Sequence, residues 1–208
     1  MYIKRALYIL LALTVCVMAS VSCSTKKNTA ASRFWQSFNT RYNVYYNGSQ
    51  AYIEGEKSKV QGHKDNYTEF LPVFLVGNEK SRTSGKSSFE TAITKCQKAI
   101  ALHSIKRRPV VSASKRKTPK MKAYLQRKEY NPFLKNAWLM MGRAQFEKGD
   151  FLEAAATFSY IARLYAAEPA VAAEANQWLA RCYTQEKWYY DAEDALKRMR
   201  RDTIQRAT

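Results

Sequence analysis

The sequence predicts an all-α chain, a solenoid of antiparallel helical hairpins, and three observations carry that prediction. Apolar residues between 132 and 208 recur at spacings of three and four, the period of helices that bury one face. The pattern then repeats at a fixed offset, so one helix-turn-helix unit is used twice. Two long polar stretches, at 61–86 and 106–131, lack such a period and read as loops that interrupt the stack.

The hairpin region opens at Asn131 and Pro132. An Asx side chain accepts a free helix N–H, and proline lacks only a donor that the first turn leaves unused. Leu134, Trp138, Met141 and Ala144 form the first stripe. Gly149 and Asp150 break it. A second helix follows on Phe151, Ala154, Ala155, Phe158, Ile161 and Tyr165, and Glu168-Pro169 ends it and opens the next. Trp178, Leu179, Cys182 and Tyr183 form a third stripe. After a break at Glu186-Lys187, Tyr189, Ala192, Ala195, Leu196 and Met199 form a fourth. Met141 aligns with Leu179, Gly142 with Ala180, Phe151 with Tyr189 and Ala154 with Ala192, each pair 38 residues apart.

On these residues the chain resembles the tetratricopeptide repeat, matched by Trp138, Met141, Gly142, Phe146, Gly149, Asp150, Ala154, Phe158 and Leu164. Gly142 and Ala154 are small where two antiparallel helices cross, and Trp138 and Phe158 fill the space beside them. Leu179, Ala180, Tyr189 and Ala192 are the packing positions of the second unit. The repeat of that family is about 34 residues, so the surplus is expected around 166–169.

Residues 34–105 read as a degenerate version of the same unit. Phe38, Tyr42, Tyr45, Tyr46 and Tyr52 lie at helical spacing and, with Phe34 and Trp35, are expected to form a core face against the next helix, with a ligand-binding surface as the alternative. A capping box, Ser87 to Glu90, is expected to start a helix carrying Phe89, Ala92, Ile93, Cys96, Ala99, Ile100 and His103 on one face. His103 falls near its C-terminus, where the helix dipole suits an imidazolium. Residues 106–135 hold eleven Lys or Arg against Glu129 alone, which reads as a solvated linker or a contact for an acidic partner.

The N-terminus carries a targeting signal. Lys4 and Arg5 precede an uncharged run at 6–21, the n-region and h-region of an export signal, and too short to span a bilayer comfortably. Ser20-Val21-Ser22-Cys23 resembles the lipobox of bacterial lipoproteins, with Ser20 where leucine is usual. That resemblance implies cleavage after residue 22, lipid on Cys23 and a small, polar tether at 23–33. No acidic pair follows the cysteine, so the periplasmic side of the membrane is expected.

The full chain has 35 basic and 17 acidic residues. Loss of residues 1–22 removes Lys4 and Arg5 and leaves a formal charge of +16. In an exported protein such charge points to anionic lipid, acidic glycans or an acidic protein, not to nucleic acid. Cys96 and Cys182 then remain, both on apolar stripes, as buried thiols or a single disulfide.

The order of segments is similar to one family. Asn-Thr-Arg-Tyr-Asn-Val-Tyr-Tyr-Asn-Gly at 39–48 near a lipidated cysteine, Tyr67-Thr68-Glu69-Phe70-Leu71-Pro72-Val73-Phe74, a helix ending His103-Ser104-Ile105, and repeats from Trp138 resemble the PorW/SprE lipoproteins of Bacteroidota. The resemblance implies an outer-membrane scaffold of the type IX secretion system and gliding motility. Such a scaffold links the periplasmic ring to the outer-membrane translocon. It also implies a longer gene product than these 208 residues. Trp178, Trp188 and Tyr189, with the basic segment, are the expected partner-binding residues. Glycan capture at the cell surface and outer-membrane protein assembly are the alternatives, because lipoproteins of both kinds use such repeats. With two histidines, no Gly-rich phosphate loop and no ligand cluster, no enzyme, metal, cofactor or small-molecule substrate is expected.

Overall fold

A computed structural model of the chain describes residues 27–207 apart from 69, 72–74, 78 and 117. The signal run, Cys23 and residues 24–26 lie outside the described residues. Every regular element among those described is helical. Helix α1 (Ala30–Asn39) runs through a π-helical turn, Thr40–Tyr45, into α2 (Tyr46–Gly62). Then come α3 (Glu79–Thr83), α4 (Lys86–His103), and two short helices, α5 (Ala113–Arg116) and α6 (Pro119–Leu125). Four long helices close the chain: α7 (Leu134–Lys148), α8 (Phe151–Leu164), α9 (Pro169–Gln185) and α10 (Tyr189–Ala207).

The long helices pack in chain order: α2 on α4, α4 on α7, α7 on α8, α8 on α9 and α9 on α10. Val44, Ala99, Leu134 and Ala137 form one buried cluster. Residues 34–105 and 132–208 therefore share a core. Among the described residues no helix is long and apolar enough to cross a membrane.

Several local expectations change. Helix α1 begins at Ala30, inside the expected tether, because the Thr29 hydroxyl caps it by accepting the Ser32 N–H at 3.1 Å. The capping box at Ser87 is not used. Gly85, at φ 72°, stands at the N-cap instead, and Ser87 lies within the first turn. A Cβ at residue 85 would meet the Gly55 carbonyl oxygen at 2.6 Å, so α2 and α4 cross there backbone to backbone. Asn131 does act as a cap, its Oδ1 accepting the Phe133 N–H at 3.1 Å. The α-helix proper starts only at Leu134, whose N–H bonds three residues back to Asn131.

Both expected loops hold structure that packs. In the first, Val76 joins the main core. Arg82 lies over the α7–α8 turn, 6.0 Å from the Phe151 ring centroid. In the second, Tyr130 is buried and its N–H bonds the Ile105 carbonyl at 2.9 Å.

A buried polar node holds these pieces in register. Glu129 Oε1 accepts the backbone N–H groups of Ile105, Tyr130 and Asn131 at 2.8, 3.0 and 2.8 Å. Its Oε2 accepts the Ser104 hydroxyl. Asn131 Nδ2 donates to the His103 carbonyl at 2.9 Å and to Thr40 Oγ1 at 3.1 Å. Thr40 in turn donates to the Gln36 carbonyl at 2.6 Å, and His103 Nδ1 lies 2.6 Å from Gln36 Oε1. Thus α1, the end of α4 and the start of α7 meet in one network.

That network corrects the role expected for His103. The residue does end α4, but burial lowers its pKa from 6.5, so the neutral ring is favoured over the imidazolium. An unfolded His103 takes its proton near 6.5 while the folded one still resists it. Stability from this site is complete above 6.5 and is lost as pH falls from there through the folded value. Between about pH 7 and about pH 5.5 the urea midpoint should fall more steeply for the parent chain than for His103→Asn, which keeps a donor near Nδ1. Parallel curves would refute the assignment.

Two glycines set the helix crossings. A Cβ on Gly142 would lie 2.7 Å from the Phe158 ring, and one on Gly55 would lie 2.7 Å from the Phe89 ring. A methyl there must displace a fully buried ring. Gly55→Ala gains about 0.5–1 kcal/mol of helix propensity but overpacks a core, which costs about 1–3 kcal/mol. Chemical denaturation should show Gly55→Ala net destabilised. Gly62→Ala, whose Cβ would meet only Ser84 Oγ at 3.3 Å, should be neutral or better.

Candidate partner-binding surfaces

The packing residues expected from the repeat are mostly buried. Met141, Gly142, Phe146, Ala154, Phe158, Leu179, Ala180 and Ala192 all lie inside. Trp138 is half-buried, 4.9 Å from the Tyr160 ring and in contact with three core clusters. Tyr189 departs from the pattern. Its counterpart Phe151 is 4% exposed and Tyr189 is 63% exposed. Phe151 is covered by Phe146 at 5.3 Å and by Arg82, whereas α10 packs on α9. Its role is therefore surface, not packing.

The hairpin turns share a further feature. Gly149 sits at φ 91°, and the N–H groups of Gly149 and Asp150 bond the carbonyls of Phe146 and Gln145, both at 3.0 Å. Lys187, 38 positions on, sits at φ 61°, and the Trp188 N–H bonds the Tyr183 carbonyl at 2.8 Å. Both turns close with the same left-handed cap. Glycine meets that conformation without strain; lysine does not.

Of the expected partner-binding residues, Trp178 is engaged in packing. Its ring stacks on Phe158 at 5.8 Å and 12° and meets Phe146 edge-on at 5.5 Å. The guanidiniums of Arg143 and Arg181 lie 5.3 and 4.4 Å from its centroid. Trp188 packs on Tyr183 at 5.8 Å but stays exposed, and with Tyr189 and Tyr190 it lines an open hollow of about 490 Å³. The basic segment does not join that surface. Its helix α6 flanks Ala167, before α9 begins, and Trp188 follows the end of α9. Seventeen residues of helix separate them, about 25 Å at the usual rise.

A separate groove of about 620 Å³ runs along α8, α9 and α10, lined by Arg163, Leu179, Tyr183, Arg198 and Asp202 among others. Asp202 accepts from the buried Asn176 Nδ2 at 3.0 Å, which fixes α10 against α9 at the groove floor. The basic segment is largely solvated. Lys106, Arg107, Arg108, Lys115, Arg116, Lys120, Lys122 and Lys128 are exposed. Arg127 approaches Glu168 at 3.5 Å and Lys135 approaches it at 3.2 Å, which ties the segment to the α8–α9 connection.

The largest correction concerns the N-terminal aromatics. Phe34, Trp35, Phe38, Tyr42 and Tyr46 are 46–71% exposed, and only Tyr45 and Tyr52 are half-buried. The inward face is Gln36, Thr40, Val44 and Gly48. Both sets repeat every four residues. An α-helix drifts by roughly 40° over four residues, and the wider π turn takes that drift back, so both stripes stay straight. Aromatic density misled the expectation because the polar residues opposite have partners in the buried node. Two signals were readable: the spacing of four, and the acidic, amide and hydroxyl residues that such a node requires.

Cys96 and Cys182 are free, buried and in different clusters, so no disulfide joins them. Burial pushes each thiol up to about 12, which keeps them unreactive. Among the described residues no group of His, Cys, Asp and Glu could hold a metal. No protein-family model and no curated protein matches the chain.

The strained cap is open to test. Lys187→Gly relieves a left-handed conformation that disfavours lysine by about 1–2 kcal/mol, offset in part by the greater freedom of unfolded glycine. The denaturation midpoint should rise. A fall would show that the Lys187 stem makes a contact worth more than the strain.

Proposed function

We propose that the chain is a lipid-anchored scaffold on the periplasmic side of the outer membrane, a tetratricopeptide-like solenoid that binds proteins of the type IX secretion machine. In this reading it bridges the periplasmic ring and the outer-membrane translocon and serves motility where the cell glides. One observation supports the solenoid above all: the 38-residue offset is kept in space at the helix crossings and caps. Gly142 and Ala180 are buried small residues, Ala154 and Ala192 are buried on the partner helices, and Gly149 and Lys187 share one backbone cap. Hairpins repeated in this way leave a grooved face for partner segments.

The choice of machine rests on the sequence resemblance at 39–48. On the folded chain that segment forms the π turn and the start of α2. The α8–α10 groove, with Arg163, Arg198 and Arg201 beside Asp191 and Asp202, suits a partner segment of mixed charge and net acidity. The exposed Trp188, Tyr189 and Tyr190 favour a second reading, glycan capture, since stacked aromatics hold sugar faces.

Affinity purification of the full chain from mild detergent extracts should recover type IX components. Recovery of none would refute the assignment to that machine. Protease shaving of intact cells separates the second reading. Protection supports the periplasmic scaffold, and cleavage supports glycan capture at the cell surface.

A further inference from the structure

The exposed aromatic stripe of α1 and the π turn has a definite chemistry. Phe34 and Trp35 each stack on Phe38, at 6.2 and 6.5 Å, and Phe38 meets Tyr42 at 4.9 Å. The rings thus form one continuous apolar strip about three turns long, and Tyr46 extends it. The strip cannot turn inward, because Thr40 and Gln36 on the opposite face are held by Asn131 and His103. A patch of this kind on a folded protein marks a contact surface.

Three features fix the occupant. Residues 23–53 contain Lys26, Lys27, Arg33 and Arg41 and no acidic residue. Asn28 Nδ2 donates to the Arg107 carbonyl at 2.7 Å, and Arg33 lies 6.0 Å from the Tyr124 ring. Those contacts bring the exposed Lys106, Arg107 and Arg108 to the same end of α1. Finally, Cys23 precedes Lys27 by four residues, a span of at most ~14 Å. An uninterrupted basic field, rings of Trp, Tyr and Phe, and a short link to an acylated residue match the headgroup layer of an anionic bilayer. Amphipathic rings lodge there, and each nearby Lys or Arg adds attraction.

We propose that the Phe34–Trp35–Phe38–Tyr42–Tyr46 face inserts into the headgroup layer of an anionic phospholipid membrane and sets the orientation of the helical stack beneath it. The proposal rests on the lipid-anchored reading of Cys23 for proximity, and the test separates the two. The full chain, purified in detergent, is reconstituted into vesicles of phosphatidylethanolamine and phosphatidylglycerol, with and without bromine on the acyl chains. Co-sedimentation reads the anchor, and bromine quenching of tryptophan reads the face.

Bromolipid should quench part of the emission, and Trp35→Phe should remove at least roughly half of the quenched share. Phe38→Glu with Tyr42→Glu should do the same while co-sedimentation and far-ultraviolet circular dichroism stay unchanged. A quenched share that is the same in Trp35→Phe as in the parent chain overturns the proposal. So does a chain that co-sediments with no quenching, since the strip then faces a protein or a second copy. If Cys23→Ala still co-sediments and Trp35 is still quenched, the face stands and the anchor reading falls.

Discussion

The carboxylate of Glu129 is the interaction on which the arrangement depends. It is buried, and at a place without regular structure it accepts the N–H groups of Ile105 and Asn131 and the Ser104 hydroxyl, and shares the Tyr130 N–H with the Ile105 carbonyl. Unpaired, each such group would carry a desolvation penalty of about 1–3 kcal/mol. Because Ile105 follows α4 and Asn131 precedes α7, the same carboxylate fixes the ends of the 106–131 excursion next to each other. The excursion can then be long and basic without loosening the contact of α4 with α7. Lys59 does comparable work at the other end. Its ammonium reaches the Glu147 carboxylate at 3.0 Å and the Glu147 carbonyl, and it lies 5.4 Å from the Phe89 ring centroid, so it ties α2 to the last turn of α7. Burial lowers the Lys59 pKa and raises that of Glu147. The pair therefore secures a geometry more than it adds stability.

Asn131 carries the constraint into the N-terminal helix. Its amide bonds Thr40, and Thr40 bonds back to Gln36, which commits that face of α1 to the interior and sends the aromatic face outward. Turning that face outward would leave the buried Asn131 amide without its Thr40 partner, a cost of about 1–3 kcal/mol, comparable to leaving one ring in water. The π turn lets the commitment persist through residues 36, 40, 44 and 48.

Legibility in the sequence follows from the same physics. The second half was readable because its signals are local: Gly149 at a cap, Gly142 at a crossing, apolar stripes at helical spacing, and an offset of 38 that aligned them. The helix start at Pro169 was readable for the same reason, whereas the start expected at Asn131 falls three residues later, at Leu134. The first half was harder. Which face of α1 turns inward is decided by Asn131 and His103, 91 and 67 residues away from their partners, so the spacing of four acquires its meaning only from residues remote in sequence. Trp178 combines both roles, packing and surface, in one position: it is half-buried, and its ring contacts two phenylalanines and lies against two arginines.

At the crossings and caps the second hairpin keeps the geometry of the first, with Ala180 for Gly142, Ala192 for Ala154 and Lys187 for Gly149. It diverges where the first hairpin meets its successor: Phe158 is fully buried and Leu196 is 45% exposed. Residues within a hairpin are constrained by the helix that they cross, and residues on its outer face only by what is stacked there. The shared geometry therefore reports folding of the unit, and the divergent positions, Tyr189 and Leu196, are those whose counterparts Phe151 and Phe158 are buried against other parts of the chain.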